Sequence, residues 1–224
     1  MAVIQAEGIQ KVYGTGDVRV HALRDCSIRI SQGERLAITG DSGAGKSTLL
    51  HILSGLDAPT EGRILYDGQD IAAMEEKELA AFRRKHIGFV FQAYNLVPEL
   101  TAWENILLPH LLDGTPADEA YLKEICGSLG IGDRLRHMPY ALSGGQQQKA
   151  AIARALCHKP QVVFCDEPTG NLDSESAEDV IRLLNELSDT LGFSLVIVTH
   201  NLEIAGRYER RVTVRDGKVS GDLT

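Results

Sequence analysis

Nine consecutive residues, Gly40-Asp41-Ser42-Gly43-Ala44-Gly45-Lys46-Ser47-Thr48, carry the most explicit chemistry in the chain. They satisfy G-x-x-x-x-G-K-[ST], a pattern built to cradle phosphates. Glycines let the backbone curl until successive N–H groups point inward, and a helix N-terminus behind them adds partial positive charge. Lys46 then reaches the β- and γ-phosphates, and the Ser47 hydroxyl offers an oxygen to Mg²⁺. The pattern requires a strand ahead and a helix behind. Leu36-Ala37-Ile38-Thr39 reads as the strand; Lys46 to Ser54 reads as the helix, with Leu49, Leu50 and Leu53 on one side and Gly55 as its stop.

Further polar residues stand at the ends of apolar runs. Val162 to Glu167 reads as a buried strand closing on two carboxylates. Asp166 suits a Mg²⁺ ligand or a group holding that ligand's water, and Glu167 suits orienting or deprotonating an attacking water. An acidic pair at a strand end also serves as a plain helix-capping turn. Ile87-Gly88-Phe89-Val90-Phe91 stops on Gln92, either a polar cap on a sheet or an amide contacting Mg²⁺ or water. Ser194 to Val198 leads through Thr199 to His200, on the same edge; the other histidines show no pattern and read as surface or packing residues.

Leu142-Ser143-Gly144-Gly145-Gln146 opens a helix that runs to about His158. Ser143 and Gln146 make an S-x-x-Q capping box, which by itself does not call for two adjacent glycines. Glycines at a helix start permit close approach of a phosphate to free N–H groups. The stretch is therefore a second candidate anion site, and two half-sites in one chain suggest that they meet across a dimer. Tyr13, at the end of an alternating run from Ala2, is either a core aromatic or a flat platform for a base, where stacking contributes about 1–3 kcal/mol.

The remaining texture is α/β. Ala2 to Tyr13 and Val18 to Ile30 alternate in strand fashion around a turn at Gly14-Thr15-Gly16-Asp17, an antiparallel opening unlike the strand–helix alternation that follows. Gly62 to Tyr66 is a strand and Glu75 to Lys85 a charged helix. From Tyr94 to Arg136 strand signals vanish, and Thr101 to Leu112 and Pro116 to Leu129 read as helices of an inserted subdomain. Tyr94, Leu96, Val97, Leu100 and Trp103 are either subdomain core or a groove for a partner helix. A helix after Asp173 places Val180, Leu184, Leu187 and Leu191 on one face, and Arg211 to Val219 reads as a closing hairpin.

Composition narrows the class. With 224 residues, 43% apolar content and a net charge of −8, the chain suits one globular domain, and it lacks the basic run of a nucleic-acid binder. Four scattered cysteines without a C-x-x-C pair read as reduced thiols of a cytoplasmic protein, not as disulfides or a metal site. The longest apolar runs are strand-length, so membrane work implies another chain as anchor.

Taken in order, the phosphate loop, Gln92, Leu142 to Gln146, Asp166-Glu167, Gly170 to Asp173 and His200 resemble the nucleotide-binding subunit of ATP-binding-cassette transporters. The resemblance spans nearly the whole chain and implies a P-loop NTPase core of the RecA-like kind. That core is expected over 1–92 and 159–224 with an antiparallel β subdomain, and the α-helical subdomain over about 93–158. It further implies ATP and Mg²⁺ as cofactors. Tyr13 would stack on adenine, while Gly40, Ser42, Gly43, Ala44, Gly45, Lys46, Ser47 and Thr48 cradle the phosphates. Ser47, Gln92 and Asp166 would serve the metal, with Glu167 acting on water and His200 contacting the γ-phosphate. Ser143, Gly144, Gly145 and Gln146 would bind the γ-phosphate held by a second copy, and Asp173 would lie in a loop crossing that interface.

Gly88 to Gln92, Asn95-Leu96, Thr101-Ala102 and Glu104-Asn105-Ile106 through Pro109 are similar to the branch serving macrolide export, lipoprotein release and cell division. Lys149, Asn201 and Asp41 depart from the usual pattern without removing a catalytic group. The implied assembly is a homodimer on the inner face of the cell membrane. It would be held there by a permease of the macrolide-export or cell-division type docked near Gln92 and the helical subdomain. An ATP-gated scaffold that regulates an envelope protein and transports nothing shares every site residue. A soluble cassette ATPase of DNA repair or translation is disfavoured by the acidic charge and the single cassette.

Overall fold

The structure is a computed structural model that describes residues 2–16 and 18–221; of the expected turn at Gly14 to Asp17, Asp17 lies outside the described residues. In chain order the elements begin β1 (Ala2–Tyr13), β2 (Val20–Ser31), β3 (Arg35–Thr39), α1 (Lys46–Leu53), β4 (Glu61–Tyr66), β5 (Gln69–Asp70), α2 (Glu76–His86), β6 (Ile87–Val90) and α3 (Ala102–Asp113). They continue with α4 (Glu119–Ser128), α5 (Gly144–Leu156), β7 (Val162–Asp166), α6 (Ser174–Leu191), β8 (Ser194–Val198), α7 (Leu202–Ala205), β9 (Arg210–Arg215) and β10 (Lys218–Gly221). The chain divides into two compact units, Met1–Arg83 with Ser194–Thr224, and Arg84–Phe193.

In the first unit, alternation in β1 and β2 produces an antiparallel sheet in the order β2-β1-β4-β5. Ile4, Ala6 and Ile9 are buried, as are Ile28 and Ile30 opposite them. The continuous apolar run of β3 explains its different partners, because it pairs in parallel with both β8 and β9. A strand flanked in this way has no polar face to show, and Leu36, Ala37 and Ile38 are fully buried. Helix α1 buries Leu49, Leu50, Ile52 and Leu53. Its end is tied to β4 by the buried Tyr66 hydroxyl, which donates to the Leu53 carbonyl at 2.6 Å. The closing hairpin is β9 and β10, antiparallel, turning at Asp216-Gly217.

In the second unit, β6 and β7 pair in parallel from Ile87↔Val162 to Val90↔Cys165. Helix α3 starts on a complete capping box: the Thr101 hydroxyl accepts from the Glu104 N–H, and the Glu104 carboxylate accepts from the Thr101 N–H. Helix α4 begins at Glu119 with Asp118 as its cap, three residues after the expected start at Pro116. Proline at 116 suits a first helical turn, but the Thr115 hydroxyl that would cap it is engaged with His110 Nδ1 at 3.1 Å, and the Asp118 carboxylate accepts from the Tyr121 N–H instead. The half-buried state of Tyr94, Leu96, Val97, Leu100 and Trp103 excludes a fully enclosed subdomain core at that cluster. Helix α6 buries Val180, Ile181, Leu183, Leu184 and Leu187, whereas Leu191, expected on the same face, is 38% exposed where the helix ends at Gly192.

Leu184→Ala is therefore expected to destabilise the protein by about 2–5 kcal/mol. Leu191→Ala should cost no more than about 0.5 kcal/mol. Thermal and urea unfolding of the two variants, side by side, checks the ordering.

Candidate functional site

The β3–β8 and β6–β7 parallel pairs carry candidate residues at their carboxyl ends, where open α/β sheets place ligands. In the first unit β3 ends at Thr39 and passes into the glycine loop; its neighbour β8 ends at Val198 and passes through Thr199 to His200. An open cleft of about 430 Å³ is lined by Gly40, Asp41, Ser42, Thr199, His200 and Arg215, among others. The structure thus brings His200 and the start of the loop together. Asn201, where the pattern usually has an acid, caps α7: its side-chain oxygen accepts from the N–H groups of Glu203 and Ile204 at 2.9 and 3.2 Å.

The loop itself is held by close approach. Gly40 and Gly45 have φ of 143° and 107°, conformations that L side chains avoid. A Cβ would fall 2.1 Å from the Val214 carbonyl oxygen at Gly40, and 2.5 Å from that of Ala22 at Gly45. Lys46, 7% exposed, reaches back over the loop and donates to the carbonyls of Gly40 and Asp41 at 2.9 and 2.8 Å. Its ammonium is thereby fixed beside the N-terminus of α1, and both favour an anion at that position.

Tyr13 is 42% exposed, which removes the core reading of this aromatic. Its hydroxyl donates to Asp57 Oδ2 at 2.6 Å. The other carboxylate oxygen of Asp57 accepts from Lys11 Nζ at 2.6 Å, and that ammonium lies 4.8 Å from the Tyr13 ring centroid. Burial and the Asp57 carboxylate push the Tyr13 phenol up. Burial alone would raise Asp57, but hydrogen bonds from Lys11 and Tyr13 outweigh it and hold the carboxyl below its usual range. Lys11 and Asp57 therefore position the exposed ring. The i, i+2 spacing of Lys11 and Tyr13 on one strand face was the available sequence signal, and Asp57 had none.

The remaining candidates lie in the second unit. Gln92 follows β6, and Asp166 and Glu167 follow the paired end of β7. Asn171 ties this edge together: its Nδ2 donates to the Gln92 carbonyl at 3.0 Å, and its Oδ1 accepts from Gln92 Nε2 at 3.5 Å. A Cβ on Gly170 would fall 2.5 Å from Gln92 Nε2, so glycine there lets the amide lie flat on the turn. Glu167 has φ 46°, a conformation that costs a non-glycine residue about 1–3 kcal/mol and clusters at functional sites. The buried Gln148, which sequence reasoning passed over, donates to the carbonyls of Phe91 and Pro168 at 3.3 and 2.7 Å. It fixes the residues just before Gln92 and just after Glu167 to one helix.

Ser143 caps α5 as expected. Its hydroxyl accepts from the Gln146 N–H at 3.3 Å, and its own N–H donates to Gln146 Oε1 at 3.0 Å. The two glycines have a packing role that the sequence did not disclose. A Cβ on Gly144 would meet the Tyr94 hydroxyl at 2.8 Å, and one on Gly145 the Ser176 hydroxyl at 3.2 Å. Close packing accounts for small residues here alongside any phosphate. Asp173 caps α6, accepting from the Ser176 N–H at 2.9 Å and the Ser176 hydroxyl at 2.8 Å; these bonds hold its carboxyl below the usual range. Lys149 pairs with Asp179 of α6 at 2.6 Å.

The oxygen donors Ser47, Gln92 and Asp166 are of the hard kind that suits Mg²⁺. The family model described as ABC transporter matches residues 23–170. The chain is 48% identical to an uncharacterized ABC transporter ATP-binding protein of Thermotoga maritima, covering 98% of this chain and 94% of that protein. It is 43% identical to the lipoprotein-releasing system ATP-binding protein LolD of Syntrophus aciditrophicus, over 97% and 98%. Against the macrolide export ATP-binding/permease protein MacB of Bdellovibrio bacteriovorus it is 44% identical over 98% of this chain, but spans only 34% of that protein. Among solved structures, the ATP-binding cassette MJ0796, dimeric in a post-hydrolysis state with ADP and Pi, superposes with a TM-score of 0.87 at 38% identity. The match covers 97% of this chain and 96% of that one. Among the described residues no helix is long and apolar enough to cross a membrane.

The Asp57 cluster predicts a pH dependence. Because the folded carboxyl sits below its unfolded value near 3.9, the unfolded chain binds more protons in that range, and stability rises with pH. The contribution is present above the unfolded value and lost as pH falls through the folded one. Unfolding midpoints measured from about pH 6 down to about pH 2 should fall less steeply in Asp57→Asn than in wild type.

Proposed function

The chain belongs to the ABC transporter family, and from that premise we propose that it is the motor subunit of a membrane export or release system, working as a pair of identical copies on two ATP molecules. It is an ATPase of the cassette type. The observation that carries the reading is the match, over nearly the whole chain, to a cassette solved as a dimer with the products of hydrolysis. MacB, named as an ATP-binding/permease protein, and LolD, named as part of a lipoprotein-releasing system, support a partner that sits in the membrane. The chain would then reside on the cytoplasmic face, held by that permease near Gln92 and the helices around Trp103.

In this reading the loop amides and Lys46 bind the β- and γ-phosphates, with adenine on the exposed face of Tyr13. Ser47, Gln92 and Asp166 hold Mg²⁺, which when bound supplies charge to the developing transition state. Glu167 accepts a proton from, or orients, the attacking water, and His200 donates to the γ-phosphate. Ser143, Gly144, Gly145 and Gln146 present the N-terminus of α5 to the phosphate bound by the second copy, with Asp173 at the same interface. Charge placement supplies most of the catalysis, and Glu167 contributes about 10²–10⁴ in rate.

Two variants test this. Glu167→Gln should keep ATP binding, lose about 10²–10⁴-fold in phosphate release and accumulate as an ATP-bound dimer by light scattering. Turnover near wild type in that variant removes Glu167 from the mechanism. Tyr13→Ala should weaken nucleotide binding by about 1–3 kcal/mol with little change in turnover at saturating ATP, measured by calorimetry and a phosphate assay. Co-purification with a membrane protein, then ATP-dependent substrate movement in vesicles, separates a motor from a scaffold that moves nothing.

A further inference from the structure

Away from every residue assigned above, two histidines and a cysteine gather inside the second unit. His110 of α3 and Cys157, next after α5, are buried, and His158 is nearly so, with 14% of its side chain exposed. One ligand atom from each lies within 4.8 Å of the other two. The rings of His110 and His158 stack, with centroids 3.9 Å apart and planes 34° from parallel.

The hydrogen bonds assign the protons. His110 Nε2 is 3.2 Å from the Cys157 carbonyl oxygen, which only accepts, so Nε2 carries the proton. Nδ1 therefore keeps a lone pair, met by the Thr115 hydroxyl at 3.1 Å. His158 Nδ1 lies 3.5 Å from Cys157 Sγ. Its Nε2 is buried without a hydrogen-bond partner, 3.7 Å from Asp113 Oδ2. Arg84 holds Asp113 through the other carboxylate oxygen.

We propose that His110, together with Cys157 Sγ and His158 Nδ1, forms a site for a thiophilic divalent cation, zinc in the first place. Three features support it. In a tetrahedral zinc site, sulfur and nitrogen ligands lie about 3.5 Å apart, the separation found between Cys157 Sγ and His158 Nδ1. His110 has its Nε2 on a backbone carbonyl, as metal-bound imidazoles do, and the unpartnered Nε2 of His158 has a carboxylate 3.7 Å away to take up its proton's bond. The ligand set is soft enough to exclude Mg²⁺, so the site does not compete for the nucleotide's ion. The stacked rings do not aim both lone pairs at one point, so loading turns the His110 imidazole toward the Cys157–His158 pair and opens the stack. Zinc displaces the thiol proton, which leaves to solvent, and Thr115 or a water completes four ligands. The ion would tie the end of α3 to the end of α5. Residues 110 and 157–158 are too far apart in sequence to look like a metal motif, so the cysteines read as metal-free from their spacing.

The test uses the full chain, stripped with a chelator and free of nucleotide. Titration with Zn²⁺ against a chromophoric indicator should show one ion and one released proton per chain, and a raised thermal midpoint. Co²⁺ in its place should give a thiolate-to-cobalt charge-transfer band in the near ultraviolet. Cys157→Ala should abolish the band and the thermal shift. Asp113→Asn, which touches no ligand atom, should weaken affinity about 10–100-fold. Absence of that band in the wild-type protein overturns the proposal, whether or not the variants fold; so does an undiminished thermal shift in a folded Cys157→Ala protein.

Discussion

Three stretches of backbone converge on the phosphate loop, and carbonyl oxygens set the room they leave. Val214 closes on Gly40, Ala22 closes on Gly45, and the hairpin turn donates from the Gly217 N–H to the Ala44 carbonyl at 3.0 Å. Gly217 in turn accepts from the Arg24 N–H at 2.7 Å, so β2, the loop and the hairpin form one hydrogen-bonded stack. A side chain at either glycine would collide with backbone, which cannot move aside as a flexible side chain can. The loop is consequently not a local object. Its curl exists only once residues from both ends of the chain have closed around it, and the direction of α1 and the reach of Lys46 follow from that closure.

The second unit solves a similar problem with side chains instead of backbone. Asn171, Gln148 and Arg154 each bind carbonyls of irregular segments. Arg154 donates to the Asn95 and Tyr94 carbonyls at 2.6 and 2.8 Å, two residues that both have positive φ. Asn105 does the same for the turn before α3, bonding Val97 through both its N–H and its carbonyl. Such clamps compensate the strain of residues held outside ordinary backbone regions. They also explain why long loops around Gln92 and Glu167 have a definite shape without secondary structure of their own.

What could be read from the sequence was what depends on near neighbours. The capping boxes at Thr101 and Ser143 are i, i+3 pairs, and the buried strands β3, β7 and β8 are short apolar runs with turn signals beside them. The glycine loop is likewise a contiguous pattern. The rest depends on partners distant along the chain. Asp57 meets Tyr13 across 44 residues, Arg154 meets Asn95 across 59, and Cys26 donates to the Gly217 carbonyl across 191. No periodicity encodes such pairs. The glycines at 144 and 145 show the converse: their composition was visible, but the crowding from Tyr94 and Ser176 that demands it was not.

Helix α5 has a mechanical consequence. Its cap at Ser143 stands at one end, and Arg154, grasping the segment after Gln92, stands near the other. Eleven residues at 1.5 Å each make a rod about 16 Å long. An intact α-helix resists axial compression, because shortening it breaks its own ladder of hydrogen bonds. The Ser143 turn and the strained Tyr94-Asn95 corner are therefore joined twice, through this rod and the Arg154 side chain at one end and through the Tyr94 hydroxyl lying against Gly144 at the other.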